Sequence, residues 1–112
     1  MLEISVETIQ QVSIVRLIGE IDAATAITVQ QTVLPLSLPN SNLIIEMTKV
    51  AYMSSAGLRM LLSVYRHISG NQGKVILVGL SDELTDTMSM TGFLVYFTIH
   101  STLDEGLQAF GS

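Results

Sequence analysis

Two short apolar runs, LIIEM at 43–47 and KVILVG at 74–79, are each followed by a stretch with helical spacing. This arrangement restricts the fold more than any other feature of the chain. A nearly continuous run of Leu, Ile and Val suits a strand in the middle of a parallel sheet, where both faces are covered. Its parallel neighbour is reached by a crossover, usually a right-handed one through a helix. After LIIEM the spacing predicts a helix over 55–69, with Leu58, Leu61, Leu62, Tyr65 and Ile68 on its buried stripe. After KVILVG, Ser81 or Asp82 caps a helix that carries Leu84 and Met88 and ends at Gly92. LVYFTIH at 94–100 reads as a last strand. Ser101 or Thr102 then caps a closing helix with Leu103, Leu107 and Phe110.

The N-terminal third begins differently. ISVETIQ and VSIVRLI have the β-branched pattern of strands. Polar residues around Gln10 and Gln11 mark the break between them, so a hairpin is expected, with Gly19 ending its second strand. Asp22 is a good N-cap for a helix through AATAITVQQTV, and Pro35 and Pro39 close that helix. The order is ββαβαβαβα. It predicts one α/β domain over residues 1–112 with a mixed five-stranded sheet, its first two strands antiparallel.

Composition narrows the function. The chain is 48% hydrophobic and 13% charged, as folded domains are and disordered ones are not. No apolar run approaches the ~20 residues of a membrane span. The N-terminus has two acidic residues and no basic cluster, unlike a signal peptide. Without cysteine there is no disulfide scaffold, thiolate zinc site or cysteine nucleophile. A cytoplasmic protein is the expectation. The net charge is -5 and the five Lys and Arg residues are scattered, which argues against a nucleic-acid binder.

The junction between LIIEM and its helix carries the chemistry. In YMSSAGLR, residues 52–59, Ser54 and Ser55 stand at the carboxyl end of a central strand, the edge where open α/β sheets place their sites. A helix start offers unpaired N–H groups and the positive end of a dipole. A serine there can cap the helix, or accept a phosphoryl group that the same N–H groups stabilise. Gly57 keeps the surface low, and Arg59 is one turn away from a phosphate on Ser55. A catalytic serine is less well supported. There is no G-x-S-x-G elbow, and the only candidate bases are His67, three turns along the same helix, and His100. No pattern of His or carboxylates calls for a metal or another cofactor. Among the methionines, Met47 and Met60 read as core, whereas Met88 and Met90 cannot both face inward and Met90 is free to face a partner.

Three segments together suggest a family. LIIEMTKVAYMSSAGLRMLL resembles the phosphorylation segment of the STAS domain of anti-sigma-factor antagonists. RLIGEIDAATA, 16–26, resembles the Gly-Glu-Leu-Asp segment after that family's second strand. SMTGFLVYFTIHSTLDEGLQAF, 89–110, is similar to its closing Thr-Gly-Leu, strand and helix. The resemblance implies sequential strand order, with helices largely on one side. It places the phosphoacceptor at Ser55 and a conserved loop aspartate at Asp22. It implies a non-enzyme that binds an anti-sigma factor when unphosphorylated. That partner would be a serine kinase of the histidine-kinase-like ATPase type, phosphorylation would break the complex, and a serine phosphatase would restore it. The expected partner surface is Glu20, Asp22, Met53, Ser54, Ala56, Gly57, Leu58 and Arg59. One departure stands out, because many members have aspartate where this chain has Ser54. The alternative is a STAS subunit of a transport, lipid-handling or sensing complex that is never phosphorylated.

Overall fold

Strands β1 (Leu2–Ile9) and β2 (Val12–Ile21) form the expected antiparallel hairpin, in a computed structural model that describes residues 1–111. The two-residue loop holds Gln10 and Gln11 at φ 53° and 68°, the left-handed values that a tight hairpin turn demands at both positions. Gly19 does not end β2. It sits at φ 124° inside an irregular stretch, where an added Cβ would fall on the Met1 carbonyl oxygen, and pairing resumes to Ile21. The glycine marks a kink in the strand, since only this residue type takes that conformation cheaply.

Helix α1 (Ala23–Val33) leads through a 3-10 turn at Leu34–Leu36 to β3 (Asn42–Met53). Then come α2 (Ser55–Gly70), β4 (Lys74–Val78), α3 (Asp82–Met90), β5 (Thr98–His100) and α4 (Leu103–Ala109). The sheet order is β1-β2-β3-β4-β5, and every pair after the hairpin is parallel. Ser81 and Thr102 are the caps of α3 and α4, each accepting a backbone N–H through its hydroxyl.

Two boundaries differ from the sequence reading. β3 does not stop after LIIEM, and residues 48–53 continue it. β2, kinked at Gly19, follows β3 to its end and supplies the hydrogen bonds a loop would have lacked. Conversely, LVYFTIH yields a 3-10 turn at Leu94–Tyr96 and only three strand residues. Phe93, Leu94 and Phe97 turn inward against the core, Val95 stays 83% exposed, and Tyr65 meets the rings of Tyr96 and Phe97 at 5.8 and 5.5 Å. Aromatic packing across the ends of the elements overrides strand periodicity here.

The larger core lies on one face of the sheet. There α1, α2 and α3 bury Val29, Leu58, Leu61, Val64, Leu84 and Met88 against β2, β3 and β4. On the other face α4 packs Leu103, Leu107 and Phe110 against Ile14, Ile44, Ile76 and Val78. Met47 and Met60 are core, Met88 is fully buried, and Met90 is 87% exposed. Leu62 corrects the expected α2 stripe. It is only partly buried, because α1 covers one flank of α2 and leaves Leu62 beside an open depression.

The distinction between neighbouring leucines is measurable. Leu61→Ala should destabilise the domain by about 2–5 kcal/mol, the range for a fully buried truncation. Leu62→Ala should cost less than half of that. Denaturant midpoints of the two variants check the assignment, and equal losses would refute it.

Candidate functional site

The site is built by the last residues of β2 and β3, which end together. Glu20 pairs with Tyr52 and Ile21 with Met53, and the Ser54 N–H donates to the Ile21 carbonyl at 2.8 Å. Each strand then turns directly into a helix. Asp22 caps α1 and Ser54 caps α2, so two helix N-termini open side by side at the carboxyl edge of the sheet. The helices stay together beyond that point, where Gln30 Nε2 donates to Ser63 Oγ at 3.2 Å.

The two serines are not equivalent. Ser54 Oγ accepts the Gly57 N–H at 3.3 Å and its carbonyl accepts the Leu58 N–H at 3.1 Å. It is the N-cap, a position for which serine and aspartate are about equally suited. Serine here therefore makes the cap that an aspartate would make, without the negative charge. Ser55 is the first helical residue. Its side chain is exposed, and among the described residues its hydroxyl has no hydrogen-bond partner. The first turn of α2 holds no acidic residue, so nothing there opposes an anion at the dipole's positive end.

Asp22 is more tightly held. Its Oδ1 accepts the Thr25 N–H at 2.9 Å, while its own N–H donates to Thr25 Oγ1 at 2.8 Å. Thr25 thereby completes a reciprocal capping box. The hydrogen bonds from the Thr25 backbone and hydroxyl lower the carboxyl pKa below its usual value. A lowered folded pKa means the charged cap stabilises α1 above the unfolded carboxylate pKa. That contribution fades as pH falls through the folded one. Glu20, Ala56 and Arg59 complete the rim, with Glu20 and Arg59 exposed and Ala56 partly so.

Three residues of the expected partner surface are inside, and one of them, Leu58, is where the buried stripe of α2 predicts it. Met53 is 5% exposed, Leu58 is 4% exposed, and both belong to the main core. Gly57 is buried as well, where a Cβ would lie 2.5 Å from Met53 Cγ and 2.9 Å from Ile21 Cγ2. These three seat the first turn of α2 on the ends of β2 and β3, and their side chains are not a contact surface. Glycine is needed beneath the helix for close packing; its role is not to keep the top of the site low. Tyr52, which lies outside the expected partner surface, stands 52% exposed beside Glu20. Only the continued strand pairing reveals its place.

The histidines do not approach Ser55 as a base would. His67 is exposed about 18 Å along the axis of the same helix. His100 ends β5, two strands away from β3. Glu46 is engaged elsewhere, 3.4 Å from Arg16 Nε, and Arg16 also pairs with Glu7.

Comparison with known proteins agrees with this architecture. The STAS domain model matches residues 3–106. The anti-sigma-B factor antagonist of Listeria monocytogenes is 33% identical over 75 residues, 66% of each chain. The anti-sigma-B factor antagonist of Bacillus subtilis is 28% identical over 94 residues, 84% of this chain and 86% of its own. Among solved structures, an anti-sigma factor antagonist from Mycobacterium paratuberculosis superimposes with a TM-score of 0.88 at 26% identity, covering 100% of this chain and 96% of that one. With the domain model matched over residues 3–106 and the whole chain superimposed on a solved relative, this chain belongs to the STAS domain family.

Proposed function

We propose that the protein is an anti-sigma factor antagonist, a cytoplasmic regulatory protein and not an enzyme, switched by phosphorylation of Ser55. The observation that carries this reading is the division of labour between the two serines. Ser54 spends its hydroxyl on the cap, whereas the Ser55 hydroxyl is exposed and unbonded at a helix N-terminus. A kinase needs such a hydroxyl, and the helix end favours the dianion that results. The partner is an anti-sigma factor that is itself a serine kinase of the histidine-kinase-like ATPase type, and a serine phosphatase reverses the modification. The names of the similar proteins support the anti-sigma factor as partner.

The contact surface then comprises Glu20, Asp22, Ser54, Ser55, Ala56 and Arg59, with Tyr52 at its margin. Met53, Gly57 and Leu58 lie beneath it and keep it in shape. Unphosphorylated, this surface meets the kinase. A phosphate adds about -1.5 to -2 charge, which is costly to desolvate inside a contact. Ser55 already occupies a helix start, so the modification repels the partner without needing to refold the domain.

The acceptor can be assigned directly. Incubation with the cognate kinase and ATP should phosphorylate the wild type on Ser55 and leave Ser55→Ala unmodified. Ser54→Ala should still accept phosphate while losing about 1 kcal/mol of stability with its cap. Phosphate found by mass spectrometry only on Ser54 would overturn the assignment.

The switch is tested by affinity. Ser55→Glu should weaken kinase binding at least tenfold in calorimetry, a change of about 1.4 kcal/mol. Ser55→Ala should bind like the wild type, and both should keep the wild-type melting profile. Equal affinities for the two variants would sink the switch.

A further inference from the structure

The charge of this chain is segregated. Between residues 23 and 81 the only carboxylate is Glu46, against four of the five Lys and Arg residues: Lys49, Arg59, Arg66 and Lys74. Glu46 is on the far face of the sheet, held by Arg16. α1 carries no charged residue at all. The outer side of α2 is therefore cationic in a protein of net charge -5. Arg59 and Arg66 are exposed two helical turns apart, about 10 Å along the axis. Among the described residues both ion pairs use Arg16, and neither of these arginines forms one. Together with Leu62, Ser63 and His67 they line a shallow depression of about 520 Å³.

From this placement we infer that the outer face of α2 is a docking strip for an acidic, partly apolar segment of a protein partner. Two unpaired guanidinium groups offer forked donors to carboxylates, and the partly exposed Leu62 between them offers apolar contact. Nucleic acid fits less well. Two arginines neutralise few phosphates, and the net charge of the chain repels a polyanion. A membrane surface fits less well too, since adsorption requires a larger cluster of cations.

The strip continues to the phosphorylation site proposed above and rests on that reading only for its regulation. Ser55, Arg59 and Arg66 follow the i, i+4, i+11 spacing of one helix face. A phosphate on Ser55 has Arg59 one turn away, and its charge of about -1.5 to -2 cancels most of the +2 of the two arginines. Phosphorylation thus neutralises the strip as well as blocking its end.

Short poly-L-glutamate serves as the probe, with poly-L-glutamine as the uncharged control, and amide chemical shifts report where it binds. At low salt, shifts should centre on residues 59–67 with poly-L-glutamate and be absent with poly-L-glutamine. Arg59→Gln and Arg66→Gln should each weaken binding about two- to fivefold, the range for one exposed ion pair, and Lys74→Gln should not. Ser55→Glu should weaken it at least as much as Arg59→Gln. Shifts centred elsewhere, or an equal loss in Lys74→Gln, would overturn the strip. Tighter, arginine-dependent binding of duplex DNA or phosphatidylglycerol vesicles would overturn the protein-segment assignment. The probe involves no kinase, so this assay can fail while Ser55 remains the acceptor. Conversely, the strip stands if Ser55 is never phosphorylated but poly-L-glutamate binds as expected.

Discussion

Parallel pairing between the last residues of β2 and β3 is the constraint on which the site depends. β4 leaves β3 after Glu46, and from there to Met53 β3 has β2 alone as its neighbour. The Ser54 N–H closes that pairing on the Ile21 carbonyl. Below it, Ile21, Met53 and Gly57 interlock so closely that no Cβ fits on residue 57 without displacing a side chain. α2 cannot shift along its axis without opening this contact, since packed interiors tolerate little displacement. The position of Ser55 is therefore set by core packing and by the last rungs of the sheet. Its own side chain contributes nothing to holding it there.

That arrangement confines the structural duty to Ser54 and leaves the adjacent Ser55 hydroxyl without one. Ser54 and Asp22 satisfy the helix ends, each through a backbone N–H bond to its side chain. Ser55 is left with an exposed hydroxyl that no structural bond requires. A group that can be modified without loss of a cap, a core contact or a strand bond is one whose chemical change leaves the fold intact. Such a surface suits reversible association, where affinity must change and the domain must survive each cycle.

Electrostatics adds direction to the surface. Acidic Glu20 and Asp22 stand near the start of α2, and the cations Arg59 and Arg66 follow along its outer side. The flanking helix α1 is uncharged, so it neither screens nor competes with them. In a chain of net charge -5, a local positive field of this kind serves orientation of an acidic ligand more than affinity for it.

The sequence by itself determined the element order, the mixed sheet, the cap at Asp22, the caps of α3 and α4 to within one residue, and that a serine of the 54–55 pair caps α2. All of these follow from local physics: apolar periodicity, turn chemistry and the unpaired N–H groups of helix starts. Tertiary structure alone decided which side chains near Ser55 face outward. Met53 and Gly57 read as surface because they adjoin the serines, and Leu58 read both as partner surface and as buried stripe, yet the ends of β2 and β3 close over all three. Leu62 read as core from its spacing, yet the neighbouring helix covers only one flank of α2. The extension of β3 to Met53 and the folding back of residues 93–97 were likewise illegible, because each depends on a partner distant in sequence. Periodicity gives the direction of a side chain relative to its own element. Whether anything lies in that direction depends on how the elements pack.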